Sequence, residues 1–329
     1  MATVFLNGSF LSRDDARISA FDAGFQHAVG LFETMTGVRT PKDDAPRGVR
    51  IVHLHEHLSR LSESARALGL SDSLHKSALA EACERTLAKA CDDLPQVQRF
   101  RLRLTLTGGD LNMLGKPAEA QQKIEQQPTL MIVAQPATEY PQAMFERGVL
   151  ATIAGLRVNP LSPFEGHKTL NYWPRLRELQ LAGQKGAAEA LVFQVTNHLA
   201  GGCVSNCFLV RDNVLLTPIA QGEEAKADTD FDDDDPLLGQ AKVQGAYLPS
   251  PVLPGVTRKW VLDWADEEMM DTQTRMITIE DVLNADEVFL TNSSWGVLPV
   301  TRVEQRMIAD GVVGPVTRQL LDAWRVAIR

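Results

Sequence analysis

With 329 residues, the chain has the length of one large domain or two of ordinary size, enough to bury a true core. Its 44% hydrophobic and 23% charged residues match an ordinary globular protein and exclude a disordered, fibrous or disulfide-stapled chain. A formal net charge of -9 argues against a general nucleic-acid backbone binder, and no apolar run nears the roughly 20 residues that span a bilayer. The charge is uneven: residues 221 to 235 (QGEEAKADTDFDDDD) hold eight acids against one lysine. That stretch, within a segment bounded at 220–247, is too polar to bury and reads as a mobile surface insertion.

The opening residues (MATVFLNG) show no basic region followed by an apolar stretch, so a secretory leader is not expected and the reading is cytoplasmic. Asn7-Gly8 between Val4-Phe5-Leu6 and Phe10-Leu11 predicts a hairpin. The spacing of Leu58, Leu61, Ala65 and Leu68 predicts a helix over 55–70 stopped by Gly69, and a second helix follows over about 77–90. His53, His55 and His57 look metal-like at first sight. The first two alternate as at a strand end while His57 begins the helix, and no metal site is expected.

Residues 99 to 107 (RFRLRLTLT) alternate strictly and predict a half-buried strand, with a second strand over 129–134. The stretch 135–141 (QPATEYP) reads as a crossing, which divides the chain into domains 1–140 and 141–329. The second part alternates strands (149–155, 189–195, 204–210, 213–217, 286–291) with helices (171–183, 257–270, 315–328), as in an α/β domain. No internal repeat is present. Cys83, Cys91, Cys203 and Cys207 form no CxxC pair and read as small buried hydrophobes.

Three segments carry candidate chemistry. Pro254-Gly255-Val256-Thr257-Arg258 enters a helix, where unpaired N–H groups suit a phosphate; a plain helix start capped by Thr257 is the simpler alternative. Thr291-Asn292-Ser293-Ser294-Trp295-Gly296 is a hydroxyl-rich turn after a strand. Gly166-His167-Lys168-Thr169-Leu170-Asn171-Tyr172 predicts a lysine at a helix start with a tyrosine one turn on. Lysines so held form Schiff bases with carbonyl compounds such as pyridoxal phosphate, and a nearby phenol could bond the cofactor's phenolate.

Read in order, Asn7-Gly8, residues 18–25 (ISAFDAGF), Leu31-Phe32-Glu33-Thr34, residues 57–61 (HLSRL), Lys168 to Tyr172, Ser205-Asn206-Cys207-Phe208, Leu216-Thr217-Pro218, residues 253–258 (LPGVTR) and residues 296–300 (GVLPV) resemble the class IV aminotransferases. These are the fold type IV pyridoxal phosphate enzymes: branched-chain aminotransferases, D-amino acid aminotransferases and aminodeoxychorismate lyases. The resemblance spans almost the whole chain. It implies a two-domain α/β (α+β) fold, with a small N-terminal α/β domain and a larger C-terminal α/β pseudo-barrel domain, and a homodimer.

By position, the resemblance makes Lys168 the lysine that bonds to the cofactor and shuttles the Cα proton, and Tyr172 its phenolic neighbour. It makes Arg60 a phosphate ligand, with Val256, Thr257 and Ser293 as further phosphate contacts. Phe32, His27, Arg103 and Ser294 fall at substrate-pocket positions. Two departures stand out. Gly201 occupies the place of the glutamate that pairs with the pyridine nitrogen, leaving His198, Cys203 or water as substitutes. His27-Ala28 stands where an aromatic residue followed by glycine is common. The strand ending Thr107-Gly108-Gly109 also lacks the arginine that D-amino acid aminotransferases use for the substrate carboxylate. The expected activity is amino transfer between an amino acid and a 2-oxo acid. An aminodeoxychorismate-type lyase and a non-catalytic binding protein are the alternatives.

Overall fold

The computed structural model describes residues 2–41, 45, 47–110, 128–224 and 248–328. The chain packs as two units, one made of Met1–Glu139, His167–Tyr172 and Ala327–Arg329 and the other of Tyr140–Gly166 and Trp173–Val326. Residues 225–247 of the acidic segment lie outside the described residues.

The first unit contains β1 (Thr3–Leu6), β2 (Ser9–Leu11), α1 (Ala23–His27), β3 (Gly30–Arg39), β4 (Val49–Ile51), α2 (Leu54–Ala67), α3 (Lys76–Asp93), β5 (Arg99–Thr107) and β6 (Leu130–Pro136). Its six strands run in the order β2-β1-β6-β5-β3-β4. The hairpin turn is where Asn7-Gly8 predicts it, with φ of 46° and 92° at its two residues, the left-handed pair that a two-residue connection requires. Strand β5 has the predicted bounds. Its Phe100, Leu102 and Leu104 share a face with Leu31 and Met35 of β3, and α2 and α3 cover that face with Leu58, Leu61, Leu87 and Cys83. Period-2 alternation puts Arg101 and Arg103 with Phe32 and Thr34 on the opposite face.

Helix α2 ends on Leu68, and Gly69 follows with φ of 67°, a left-handed stop that relieves the last turn. His53 precedes the helix in a left-handed conformation (φ 53°) and His55 lies within it. The expected strand end is therefore absent, because the apolar face of α2 extends back to Leu54.

The second unit contains α4 (Ala143–Glu146), β7 (Val149–Val158), α5 (Trp173–Gln184), β8 (Glu189–Gln194), β9 (Leu199–Gly202), β10 (Asn206–Arg211), β11 (Val214–Pro218), α6 (Val256–Glu267), β12 (Thr272–Arg275), α7 (Ile279–Leu283), β13 (Glu287–Asn292), β14 (Gly296–Val303), β15 (Arg306–Met307) and α8 (Pro315–Ala327). The sheet order is β12-β11-β10-β13-β14-β7-β8-β9, with β15 added to β14. Strand β9, at one end of that order, lies against β10 and β11 near the other end, so the sheet curls upon itself. Leu191, Phe193, Leu209, Leu290 and Leu298 belong to one core cluster, while Ala154, Ala182, Ala190 and Val192 belong to a second that takes in part of α5. Helices α6 and α8 meet edge to face through Trp260 and Trp324, with ring centroids 4.8 Å apart. All four cysteines are buried and form no disulfide among the described residues.

The lysine segment differs from its predicted form. Lys168 is not at a helix start; α5 begins only at Trp173, and Tyr172 precedes it. The Lys168 carbonyl accepts from Phe32 N–H (2.9 Å), Leu170 N–H donates to the Gly30 carbonyl (3.0 Å), and Thr169 bridges to Leu31. These bonds make the segment a short strand against β3, so its backbone groups are unavailable to a helix. Pro174 supplies the reason for the late start. It sits at the second helical position, in the first turn where a missing N–H costs nothing, and would break the helix further in.

Candidate active site

In the first unit, chemistry gathers around Phe32. Its ring, 4% exposed, carries the Lys168 Nζ at 4.4 Å and the Arg103 guanidinium carbon at 3.9 Å from its centroid. Tyr172 packs edge to face on it at 5.3 Å, and Lys168 Nζ lies 5.5 Å from the Tyr172 ring centroid. The lysine and tyrosine that sequence spacing would place on one helix face thus meet through extended backbone and a shared aromatic. Each such contact with the ring face is worth about 0.5–2 kcal/mol depending on desolvation. Burial and the neighbouring Arg101 charge lower the pKa of Arg103.

Behind Phe32, on the helix-covered face, Glu33 is buried with Arg60 and His57. Arg60 donates from Nε to Glu33 Oε1 (2.9 Å) and from Nη2 to Oε2 (2.6 Å). His57 Nδ1 stands 2.7 Å from Oε2. Burial pushes the Glu33 carboxyl up, but Arg60 and His57 overcome it and hold it down at about 2. Burial lowers the pKa of His57 against the pull of Glu33, and burial alone does the same for His167, whose Nδ1 lies 2.9 Å from Ser64 Oγ.

Both shifts have one sign. Between the lowered folded value and the ordinary 6.5, the unfolded chain binds a proton that the folded chain refuses, so stability rises with pH there. Glu33 adds a second loss lower down, present above its ordinary 4.5 and removed as pH falls toward about 2. The melting temperature is therefore expected to fall steadily from pH 7 to pH 5 and further below pH 4.5. A flat profile between pH 7 and 5 would show that the two histidines do not contribute.

The other residues placed at the substrate pocket in this unit are less enclosed. His27 is the exposed last residue of α1. That short helix is fixed by Asp22, which accepts from Gly24 N–H (2.7 Å), Phe25 N–H (3.3 Å), Thr107 Oγ1 (2.7 Å) and Thr129 Oγ1 (2.6 Å).

In the second unit, three turns are tied together where β10 pairs with β13. Asn292 Oδ1 accepts from the N–H groups of Ser294 and Trp295, shaping the hydroxyl-rich turn, while its Nδ2 donates to the Val204 carbonyl at 3.2 Å. Asn206, opposite Thr291 in the ladder, donates from Nδ2 to the Leu253 carbonyl at 2.9 Å. Its Oδ1 lies against Gly255, where any Cβ would collide with it. Gly201, Val256, Thr257, Ser293 and Ser294 are thereby brought into one loop cluster.

Gly255, not Thr257, is the N-cap of α6, and it offers no capping side chain. Thr257 lies inside the first turn, 2% exposed, and its hydroxyl finds no partner among the described residues. A buried donor without a partner costs roughly 1–3 kcal/mol. An anion at this helix start would satisfy the hydroxyl and the first-turn amides together. This orphaned hydroxyl is the observation in the second unit that fits a phosphate.

Gly201 is buried, with φ of +134°, and a Cβ there would stand 2.8 Å from the Ser205 carbonyl oxygen. Glu189 shapes the adjoining turn: its carboxylate accepts from the N–H groups of Ala190, Cys203 and Val204 and from Ser205 Oγ, at 3.0–3.1 Å. Burial raises its pKa. Burial likewise pushes the Cys203 thiol up to about 12, so the thiol is uncharged near neutral pH. His198 pairs with Thr196 at 3.1 Å. Sequence reasoning missed Glu33, Glu189 and Asn206 as organisers, because their partners lie far away in the chain.

A sequence model of the amino-transferase class IV family matches residues 30–223 and 242–303. The chain belongs to the class IV aminotransferase family. It is 27% identical over 325 residues to a putative branched-chain-amino-acid aminotransferase of Methanocaldococcus jannaschii, covering 98% of this chain and 95% of that one. A branched-chain amino acid aminotransferase of Escherichia coli superposes with a TM-score of 0.79 at 22% identity over 98% of this chain and 93% of its own, a likeness of fold. A T.th. branched-chain amino acid aminotransferase, solved with pyridoxamine 5'-phosphate, does so with a TM-score of 0.78 at 22% identity over 99% of this chain and 93% of its own. The 4-amino-4-deoxychorismate lyase of Pseudomonas aeruginosa gives a TM-score of 0.72 at 25% identity, covering 98% of each chain. Among the described residues no helix is long and apolar enough to cross a membrane.

Proposed function

We propose that this protein is a pyridoxal phosphate-dependent aminotransferase, branched-chain-like, that moves an amino group between an amino acid and a 2-oxo acid. The observation that carries the reading is Lys168, fixed in extended backbone with its amine over Phe32 and beside Tyr172. Pyridoxal phosphate, when bound, supplies a carbonyl carbon for the lysine and an electron sink for charge at the substrate Cα. With the cofactor in place, Lys168 Nζ would take up and return the Cα proton, and the Tyr172 hydroxyl would be the donor to the cofactor's phenolic oxygen. Arg60 in the first unit, and the α6 amides at Val256 and Thr257 with the Thr257 and Ser293 hydroxyls in the second, are the groups assigned to the phosphate dianion. Arg103 is the cation for a substrate carboxylate, with Phe32, His27 and Ser294 as further pocket residues. Arg60→Ala is expected to weaken cofactor affinity by about 1.5–3 kcal/mol, as for a lost charge-assisted contact. An unchanged affinity would remove Arg60 from the assignment.

Gly201 limits this activity. An acid at that position would favour the protonated pyridine nitrogen; a glycine offers none, the neighbouring Glu189 oxygens already receive four donors, and the Cys203 thiol is held protonated. Slow transfer with common amino acids is the expected consequence.

The likeness to the Pseudomonas aeruginosa lyase favours a second reading, elimination from an aminodeoxychorismate-like substrate with the same lysine moving the proton. The deciding experiment follows the spectrum of the cofactor-loaded protein across a panel of amino acids. Conversion to the pyridoxamine form supports transfer, whereas pyruvate release from aminodeoxychorismate supports the lyase. No covalent retention of supplied cofactor would leave a non-catalytic binding protein. The same reading makes the protein a cytoplasmic homodimer, which light scattering of the purified chain checks for its oligomeric part.

A further inference from the structure

Glu33 is a charged group on the helix-covered face of the first unit's sheet, beside the wholly apolar Leu31 and Met35. A carboxylate at that place is costly, and apolar residues of similar volume commonly serve a fold as well or better. Its contacts are specific in direction. The two oxygens grip the Nε and Nη2 edge of Arg60 at 2.9 and 2.6 Å, a two-point contact that fixes the guanidinium plane. His57, one turn earlier on α2, holds Oε2 at 2.7 Å and stops the carboxylate from turning.

We propose that Glu33 is a positioning residue: held by His57, it clamps one edge of Arg60 so that the guanidinium meets the phosphate of the bound cofactor in a single orientation. The proposal rests on Arg60 being a phosphate ligand. It has an electrostatic cost, because a carboxylate at hydrogen-bond distance cancels part of the arginine's attraction for a dianion. Orientation and charge therefore act in opposite directions, and substitutions separate them.

The test compares Glu33→Asp, Glu33→Gln and Arg60→Ala in the full chain, reading pyridoxal 5'-phosphate affinity, the phosphorus NMR resonance of the bound phosphate and the melting temperature without cofactor. Glu33→Asp keeps the charge but withdraws it by one methylene. It is expected to weaken the cofactor about tenfold and to shift the phosphorus resonance, and Glu33→Gln is expected not to tighten it. If Glu33→Asp binds as wild type and Glu33→Gln binds more tightly, the carboxylate acts only through charge and the proposal fails. It fails equally if the melting temperature drops while affinity and the phosphorus resonance stay put, the result of a purely structural role. Should Glu33→Gln not fold, Glu33→Asp decides alone. Unchanged affinity in Arg60→Ala would instead overturn the assignment of Arg60 itself, and the inference about Glu33 with it.

Discussion

Lys168→Ala is expected to abolish covalent retention of pyridoxal phosphate and to lower any amino-transfer rate by about 10²- to 10⁴-fold from lost proton transfer alone. In the wild-type protein, borohydride reduction followed by peptide mass mapping should leave the cofactor mass on Lys168. The expectation follows from placement: the amine sits 4.4 Å from the Phe32 centroid, held by backbone bonds at Phe32 and Leu170 that fix the segment on both sides. The fold should survive, because those bonds are made by the backbone and remain in the alanine variant. A reduced adduct on another lysine, or retention by Lys168→Ala, would refute the assignment.

Gly201→Glu is expected to destabilise the protein and to leave transfer no faster. In a simple deletion of the pyridine partner, restoring the acid would restore the rate. At Gly201 the backbone leaves little room for a side chain, with φ of +134° and the Ser205 carbonyl 2.8 Å from where a Cβ would begin. Such a conformation costs a residue with a side chain about 1–3 kcal/mol, before the close approach is counted. Gly201→Ala should share the loss of melting temperature, about 2–4 °C per kcal/mol for a unit of this size. An unchanged melting temperature in both variants would contradict the strain. Wild-type turnover of common amino acids within the ordinary range of roughly 1–10³ s⁻¹ would contradict the weak sink.

What could be read in the sequence was local. The alternation of residues 99–107 identified β5 with its bounds, Asn7-Gly8 identified the hairpin, and Gly69 marked the end of α2. Motif order identified the family. The form of the Lys168 segment was misread because helical spacing from Lys168 to Tyr172 is also compatible with a strand, and only Pro174 signalled that the helix begins later. Thr257 was a plausible cap, yet Gly255 takes that position because Asn206, 49 positions earlier in the numbering, leaves no room for a side chain. Glu33 meets partners 24 and 27 residues away, and Glu189 meets its turn 14 to 16 residues away. No periodicity encodes such pairings, since only the folded sheet brings them together.

The return of residues 167–172 to the first unit has a consequence for assembly of the chain. During synthesis the first 139 residues emerge before the segment that carries Lys168, and β7 must be made in between. The last residues close later still, as the Ala327 carbonyl accepts from both terminal nitrogens of Arg50 at 3.2 Å. The first unit is therefore completed only by segments from later in the chain. A fragment ending at 139 lacks the segment that pairs with the start of β3, leaving the Phe32 N–H and the Gly30 carbonyl without their partners. Lys168 thus joins the first unit's sheet only after β7 of the other unit has been made, and the chain returns to the other unit at Trp173.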